Sequence, residues 1–111
     1  MRVACQFDAA RASLVKGDAH KALYIYEQIT KDFPEFPEAW RRQGEVRIRA
    51  LQKRDDTSLK LLEEARRLNP RNYVILLDLA HLYESMGRPP DALYQEAKAL
   101  NPLLSEDNEN Q

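Results

Sequence analysis

Apolar side chains recur three and four residues apart in six segments of the chain, with charged residues filling the intervals. That spacing sets the apolar positions on one side of an α-helix, so each segment is expected to be a helix with one face to bury. Ala22, Leu23, Tyr26 and Ile29 form such a stripe in the second segment, and Trp40, Gly44, Ile48 and Leu51 in the third. Leu59, Leu62, Ala65 and Leu68 line the fourth; Leu76, Leu79, Ala80, Tyr83 and Met86 line the fifth. Turn residues mark the boundaries. Gly17 and Gly87 supply the positive φ that closes a helix. Asp18, Asn72 and one of Asp55, Asp56 and Thr57 can cap the helix that follows. Pro34, Pro70 and Pro102 forbid continuation. Pro37-Glu38 and Pro89-Pro90-Asp91 suit a first helical turn, where a missing N–H costs nothing and a carboxylate meets the positive helix end. The sixth helix is expected to be short, from Asp91 to about Leu100. Residues 103–111 are acidic, polar and without apolar period beyond Leu103-Leu104, and are expected to form a disordered tail.

These segments pair into repeats. Glu64-Ala65-Arg66-Arg67-Leu68-Asn69-Pro70 returns 32 residues later as Glu96-Ala97-Lys98-Ala99-Leu100-Asn101-Pro102. Pro34, Pro70 and Pro102 lie 36 and 32 residues apart, and Gly17 and Gly87 lie 70 apart, as do Ala22 and Ala92. Each interval between prolines holds two helices and a turn. One helical hairpin cannot bury its own stripe, but stacked hairpins bury one another's, so the core runs on from unit to unit.

The residues at these positions resemble the tetratricopeptide repeat (TPR) family, whose unit of about 34 residues is a pair of antiparallel helices, A and B. The resemblance rests on Ala9-Ala10, Gly17, Ala22, Tyr26 and Pro34 in the first unit and Trp40, Gly44, Leu62, Ala65 and Pro70 in the second. In the third it rests on Leu76, Leu79-Ala80, Tyr83, Gly87, Ala92, Ala97 and Pro102. It implies an all-α right-handed solenoid of three helix-turn-helix hairpins, with a repeat domain over 1–102 divided at about 3–36, 37–72 and 73–102. Three departures stand out. The second unit is two residues long between Arg47 and Ser58, and the third is two residues short between Ala92 and Ala97. Arg47 replaces an aromatic packed between A and B, so it is expected to reach solvent or to pair with Asp55 or Glu63.

Composition adjusts this picture little. A chain of 111 residues with 43% apolar and 32% charged side chains suits one helical domain. A net charge of −1 gives no overall field for nucleic acid or an anionic membrane. No apolar run approaches the roughly 20 residues of a membrane span. Met1 to Val15 lacks the unbroken apolar core of a secretory signal, so a cytoplasmic protein is expected. Cys5 is alone, excludes an internal disulfide, and reads as a small, partly buried residue. His20 and His81 fall in different repeats without metal-ligand spacing, and three scattered glycines make no phosphate loop. No catalytic residue, metal or cofactor is expected, and the chain reads as non-enzymatic. Arg41, Arg42, Arg47, Arg49, Lys53 and Arg54 form a locally basic stretch, but Glu38, Glu45, Asp55 and Asp56 dilute it, which disfavours nucleic acid.

The resemblance implies a protein–protein interaction module whose A helices line a concave groove for a peptide or partner segment, in an adaptor, co-chaperone or assembly factor. The implied groove residues are Phe7, Arg11, Leu14 and Val15 from the first repeat; Glu38, Arg41, Arg42, Glu45, Ile48 and Arg49 from the second; and Val74, Leu77, His81, Glu84 and Ser85 from the third. On a helical wheel Arg41, Arg42, Arg49 and Lys53 point away from Trp40, Gly44 and Leu51. That predicts a mixed ligand, acidic near Arg11, Arg41 and Arg49 and apolar near Phe7 and Leu77. The clamp that some members use for a chaperone's C-terminal carboxylate is excluded, because its positions are occupied by Phe7, Arg11, Arg42, Val74 and Asp78. The alternative is a scaffold that self-associates through its third repeat, where Ala92, Leu93, Ala97 and Leu100 give the last helix an apolar face that needs a covering partner.

Overall fold

The computed structural model describes residues 3–104. It contains α1 (Val3–Val15), α2 (Ala19–Asp32), α3 (Pro37–Glu45), α4 (Asp56–Leu68), α5 (Tyr73–Ser85) and α6 (Asp91–Leu100), and α3 runs directly into a π-helical turn, Val46–Ala50. Among the described residues there is no strand. The caps follow from the sequence. Asp18 accepts from the Lys21 N–H at 3.1 Å, Asp55 from the Ser58 N–H at 3.0 Å and Asn72 from the Val74 N–H at 2.9 Å. Gly17 (φ +84°) and Gly87 (φ +75°) make the turns within the first and third hairpins, a conformation that costs a residue with a Cβ.

α1 packs along α2, α3 along α4 and α5 along α6, and the stack is joined by α2 on α3 and α4 on α5. The chain is an all-α solenoid of three helical hairpins measuring 42 × 25 × 25 Å. Its interior falls into two clusters. Ala10, Ala22, Tyr26, Ile29, Ala39 and Val46 close the first. Leu59, Leu62, Ala65, Ile75, Leu76, Leu79, Leu82, Leu93 and Ala97 belong to the second. α3 and its π-turn serve both, turning Ala39 and Val46 to the first and Trp40 and Ile48 to the second. Gly44 is needed at the crossing with α4, because a Cβ there would stand 3.2 Å from Leu62 Cδ2. Two polar groups at the helix contacts find partners: the buried Thr30 hydroxyl lies 3.0 Å from Gln43 Oε1, and the Trp40 indole donates to the Pro34 carbonyl at 2.8 Å.

The two extra residues of the second hairpin are taken up at its turn. The Leu51 N–H reaches back five residues to the Val46 carbonyl (3.1 Å) and the Lys53 N–H six to that of Arg47 (2.8 Å), so the last turn of the helix is widened. Gln52 then takes φ +56°. Arg47 follows the Asp55 alternative: its Nη2 donates to both Asp55 oxygens at 2.9 and 3.1 Å, and its Nε to Ser58 at 3.1 Å. The backbone N–H of Ser58, with Arg47, holds the Asp55 carboxyl below the usual carboxylate range.

Three expectations are corrected. Cys5 is exposed; it sits two residues from Phe7, about 200° around the helix from the stripe that meets α2. Leu93 and Ala97, expected on an uncovered face of the sixth helix, are buried in the second core cluster, because α6 turns them to α5. Leu103 and Leu104 do not belong to a structureless tail: they continue in a helical turn, with the Leu104 N–H donating to the Asn101 carbonyl at 3.1 Å. The rest of the expected tail, 105–111, lies outside the described residues.

Candidate functional site

A cavity of about 310 Å³ opens between the π-turn end of α3 and the second half of α5. Ile48, Leu62 and Leu82 give it an apolar floor, and Arg49, Arg54, His81 and Ser85 stand around it. The widened turn places Arg49 and Arg54 there together. The side chain of Gln52 links them: its Nε2 donates to the Arg49 carbonyl at 2.8 Å, and its Oε1 accepts from Arg54 Nη1 at 2.7 Å. Glu45 and Asp78 also border the cavity.

Those two carboxylates are already engaged. Arg41 donates to Glu38 at 2.9 Å, Asp78 at 3.0 Å and Glu45 at 3.4 Å, and its side chain is only 11% exposed. Arg42 adds contacts to Glu45 at 3.1 Å and Glu38 at 3.4 Å. The network ties α3 to α5 across the repeat boundary, and its three carboxylates exceed its two guanidiniums by one. Burial pushes the Asp78 carboxyl above its ordinary range, although Arg41 opposes this. Arg49 and Arg54, by contrast, are exposed and make no ion pair among the described residues. The cavity thus combines an apolar floor with two guanidinium groups outside any salt bridge among the described residues, Arg49 acting on Asp78 only at longer range.

A second hollow of about 710 Å³ lies between α5 and α6 at the end of the stack, bordered by Leu77, His81, Tyr94, Lys98 and Leu104. The His81 and Tyr94 rings meet edge to face, with centroids 6.1 Å apart. The Tyr94 hydroxyl donates to Glu84, and burial together with that carboxylate pushes its pKa up to about 12.

The backbone is superposable on known structures. A thermophilic TPR protein of Thermus thermophilus, solved as a crystal structure, matches 87% of this chain with a TM-score of 0.74 and 24% sequence identity. The chain has a tetratricopeptide-repeat fold. It corresponds to 56% of the length of that TPR protein. No protein-family profile matches the chain, and no curated protein does.

Within the TPR frame α1, α3 and α5 are the A helices. Of the residues expected in the groove, Glu45, Ile48, Arg49, His81 and Ser85 come together around the first cavity. Phe7 and Leu14 pack on the first core cluster instead, Phe7 against Tyr26 with ring centroids 5.9 Å apart. The reason is their spacing: with Ala10 they form the α1 stripe that meets α2. Arg11 and Val15 are exposed on α1. Val74 is half-buried at the start of α5; Leu77 borders the second hollow, and Glu84 accepts from Tyr94. Glu38, Arg41 and Arg42 sit in the ion-pair network rather than offering free charge. Arg54 and Gln52 were missed by sequence reasoning, since they follow the A helix and only the π-turn brings them back. Asp78 was missed as the partner of Arg41; two A-helix residues of opposite charge one repeat apart are the signal that could have found it.

Proposed function

We propose that this chain is a non-catalytic interaction module that receives a peptide or a segment of a partner protein along the face of α3 and α5. The observation that supports this reading is the apolar-floored cavity between those helices, with polar groups converging on it. Arg49 and His81 are proposed as contact residues, with Arg11 extending the same face on α1. Arg41 and Arg42 are proposed as supports that fix α3 against α5, in place of direct contact with an acidic ligand. The role of adaptor, co-chaperone or assembly factor rests on the TPR fold and on no particular partner. Among the described residues no helix is long and apolar enough to cross a membrane, and no group of His, Cys, Asp and Glu residues could hold a metal.

The test is comparative. A partner recovered by affinity capture is reduced to its binding segment, and its affinity is measured for groove and rear-face variants. Arg49→Glu and His81→Asp should weaken binding at least about fivefold, and Lys60→Glu on the exposed side of α4 should leave it unchanged. Equal effects from both faces would remove the groove assignment.

A second reading, self-association through the third hairpin, is favoured by the hollow between α5 and α6 and by Leu103, which is 65% exposed beside it. It requires a concentration-dependent dimer in sedimentation, abolished by Leu103→Glu. A monomer at high micromolar concentration counts against it. Nucleic acid gains no support, because Arg41, Arg42 and Arg47 of the basic stretch are bound to carboxylates.

A further inference from the structure

The cavity between α3 and α5 is more specific than a peptide groove in general. Its charge can be worked out residue by residue. Glu45 and Asp78 face Arg41 and Arg42, whose two positive charges offset theirs. Glu38, the third acid of that network, is bound to the same two arginines and leaves it one negative charge in excess, so that with Arg49 and Arg54 the site is net positive by one. What remains at the rim is Arg49 and Arg54, with no carboxylate within 4 Å among the described residues. Arg54 does not hang free. Gln52 turns the chain at φ +56° and clips the Arg54 guanidinium to the Arg49 backbone through bonds of 2.7 and 2.8 Å. A guanidinium fixed in this way has already lost part of the rotamer freedom that binding would otherwise have to remove. Directly below lie Ile48, Leu62 and Leu82. A basic occupant would meet a site of net positive charge, and an all-apolar one would leave both guanidiniums without partners.

We propose that this cavity is a subsite for an aliphatic side chain adjacent to an acidic one in an extended segment of a partner protein, with Arg49 and Arg54 holding the carboxylate and Gln52 positioning Arg54. The inference rests on the interaction-module reading above and gives it a ligand chemistry. The aliphatic group covers the floor, and the carboxylate bridges the two guanidiniums, whose planar donor sets suit it. Selectivity comes from the π-turn, since an ordinary α-helical end at 46–50 would not return Arg54 to the cavity.

The probe is an array of synthetic decapeptides in which a central pair combines Leu, Ile, Phe or Gly with Glu, Gln or Lys. Binding of the full chain is confirmed in solution by fluorescence anisotropy on the best peptides. Aliphatic–Glu pairs should bind best, and the Gln and Lys versions more weakly. Arg49→Glu and Arg54→Glu should each lower affinity about fivefold, an effect that shrinks in high salt. Gln52→Ala leaves both guanidiniums in place and should lower affinity about twofold through loss of positioning. All these positions are exposed, so unchanged thermal melts should accompany the losses. Peptide binding that is indifferent to the acid, or to both Arg reversals, overturns this inference and leaves the groove reading standing. If no peptide on the array binds, both fall. Binding of a labelled oligonucleotide through Arg49 and Arg54, stronger than that of any peptide, also overturns it.

Discussion

Arg41 illustrates how a residue's charge is decided by what faces it. On an isolated helical wheel it points outward and looks available to a ligand. In the stack it is gripped by Glu38, Glu45 and Asp78, and only the last of these lies on another helix. Local sequence could show the first two at helical spacing, but not the third, which depends on register between repeats. Replacing Asp78 with Ala leaves Arg41 with its two local partners and should cost about 1–2 kcal/mol in denaturant unfolding. Asp55 and Asp78 should also respond oppositely to acid. The Asp55 carboxyl is held below its ordinary value, so its stabilisation is present above the unfolded Asp pKa and is lost as pH falls through the folded one. The Asp78 carboxyl is raised, so its contribution is full below the unfolded value and declines as pH rises through the folded one. Stability measured against pH should therefore lose acid sensitivity in Asp55→Asn, and Asp78→Asn should abolish the decline as pH rises. Matching slopes for the two variants would contradict these environments.

At the scale of elements the legible features were those with a local cause. Proline stops, glycine turns and the caps at Asp18, Asp55 and Asn72 act within a few residues, and all six helices follow from them. The two surplus residues before Ser58 were countable, but their form was not. A longer helix, a longer loop and a widened turn fit the same count, and the choice falls to the buried Ser58 and to Arg47, which must both be met. Gly44 shows the same division. Its place in the repeat pattern was readable, and the reason for it is the 3.2 Å approach to the fully buried Leu62. Gly44→Ala gains about 1 kcal/mol of helix propensity but overpacks this contact by about 1–3 kcal/mol. Because Leu62 is fully buried in the second core cluster, a net loss of about 1 kcal/mol is expected in urea unfolding. A stabilised variant would show that the α3–α4 contact is looser than described.

Over the whole molecule, stability should be distributed as in a stack, each hairpin depending on its neighbours. Among the described residues α3 and its π-turn contribute to both core clusters, so Ile29→Val, worth about 1 kcal/mol, should lower amide protection in α1 and α2 more than in α5 and α6. Uniform loss by hydrogen exchange would indicate a single cooperative unit. The same stacking explains how far function was readable. Repeat phase placed Glu45, Ile48, Arg49, His81 and Ser85 on one face, whereas the residues that complete the cavity depend on one irregular turn. A partner seated between α3 and α5 would lie within reach of site-specific photo-crosslinking from that face. A photoreactive residue replacing His81 should cross-link a partner segment in high yield, while the same group replacing Lys60 on α4 should give none. Cross-linking from Lys60 and not from His81 would contradict the account.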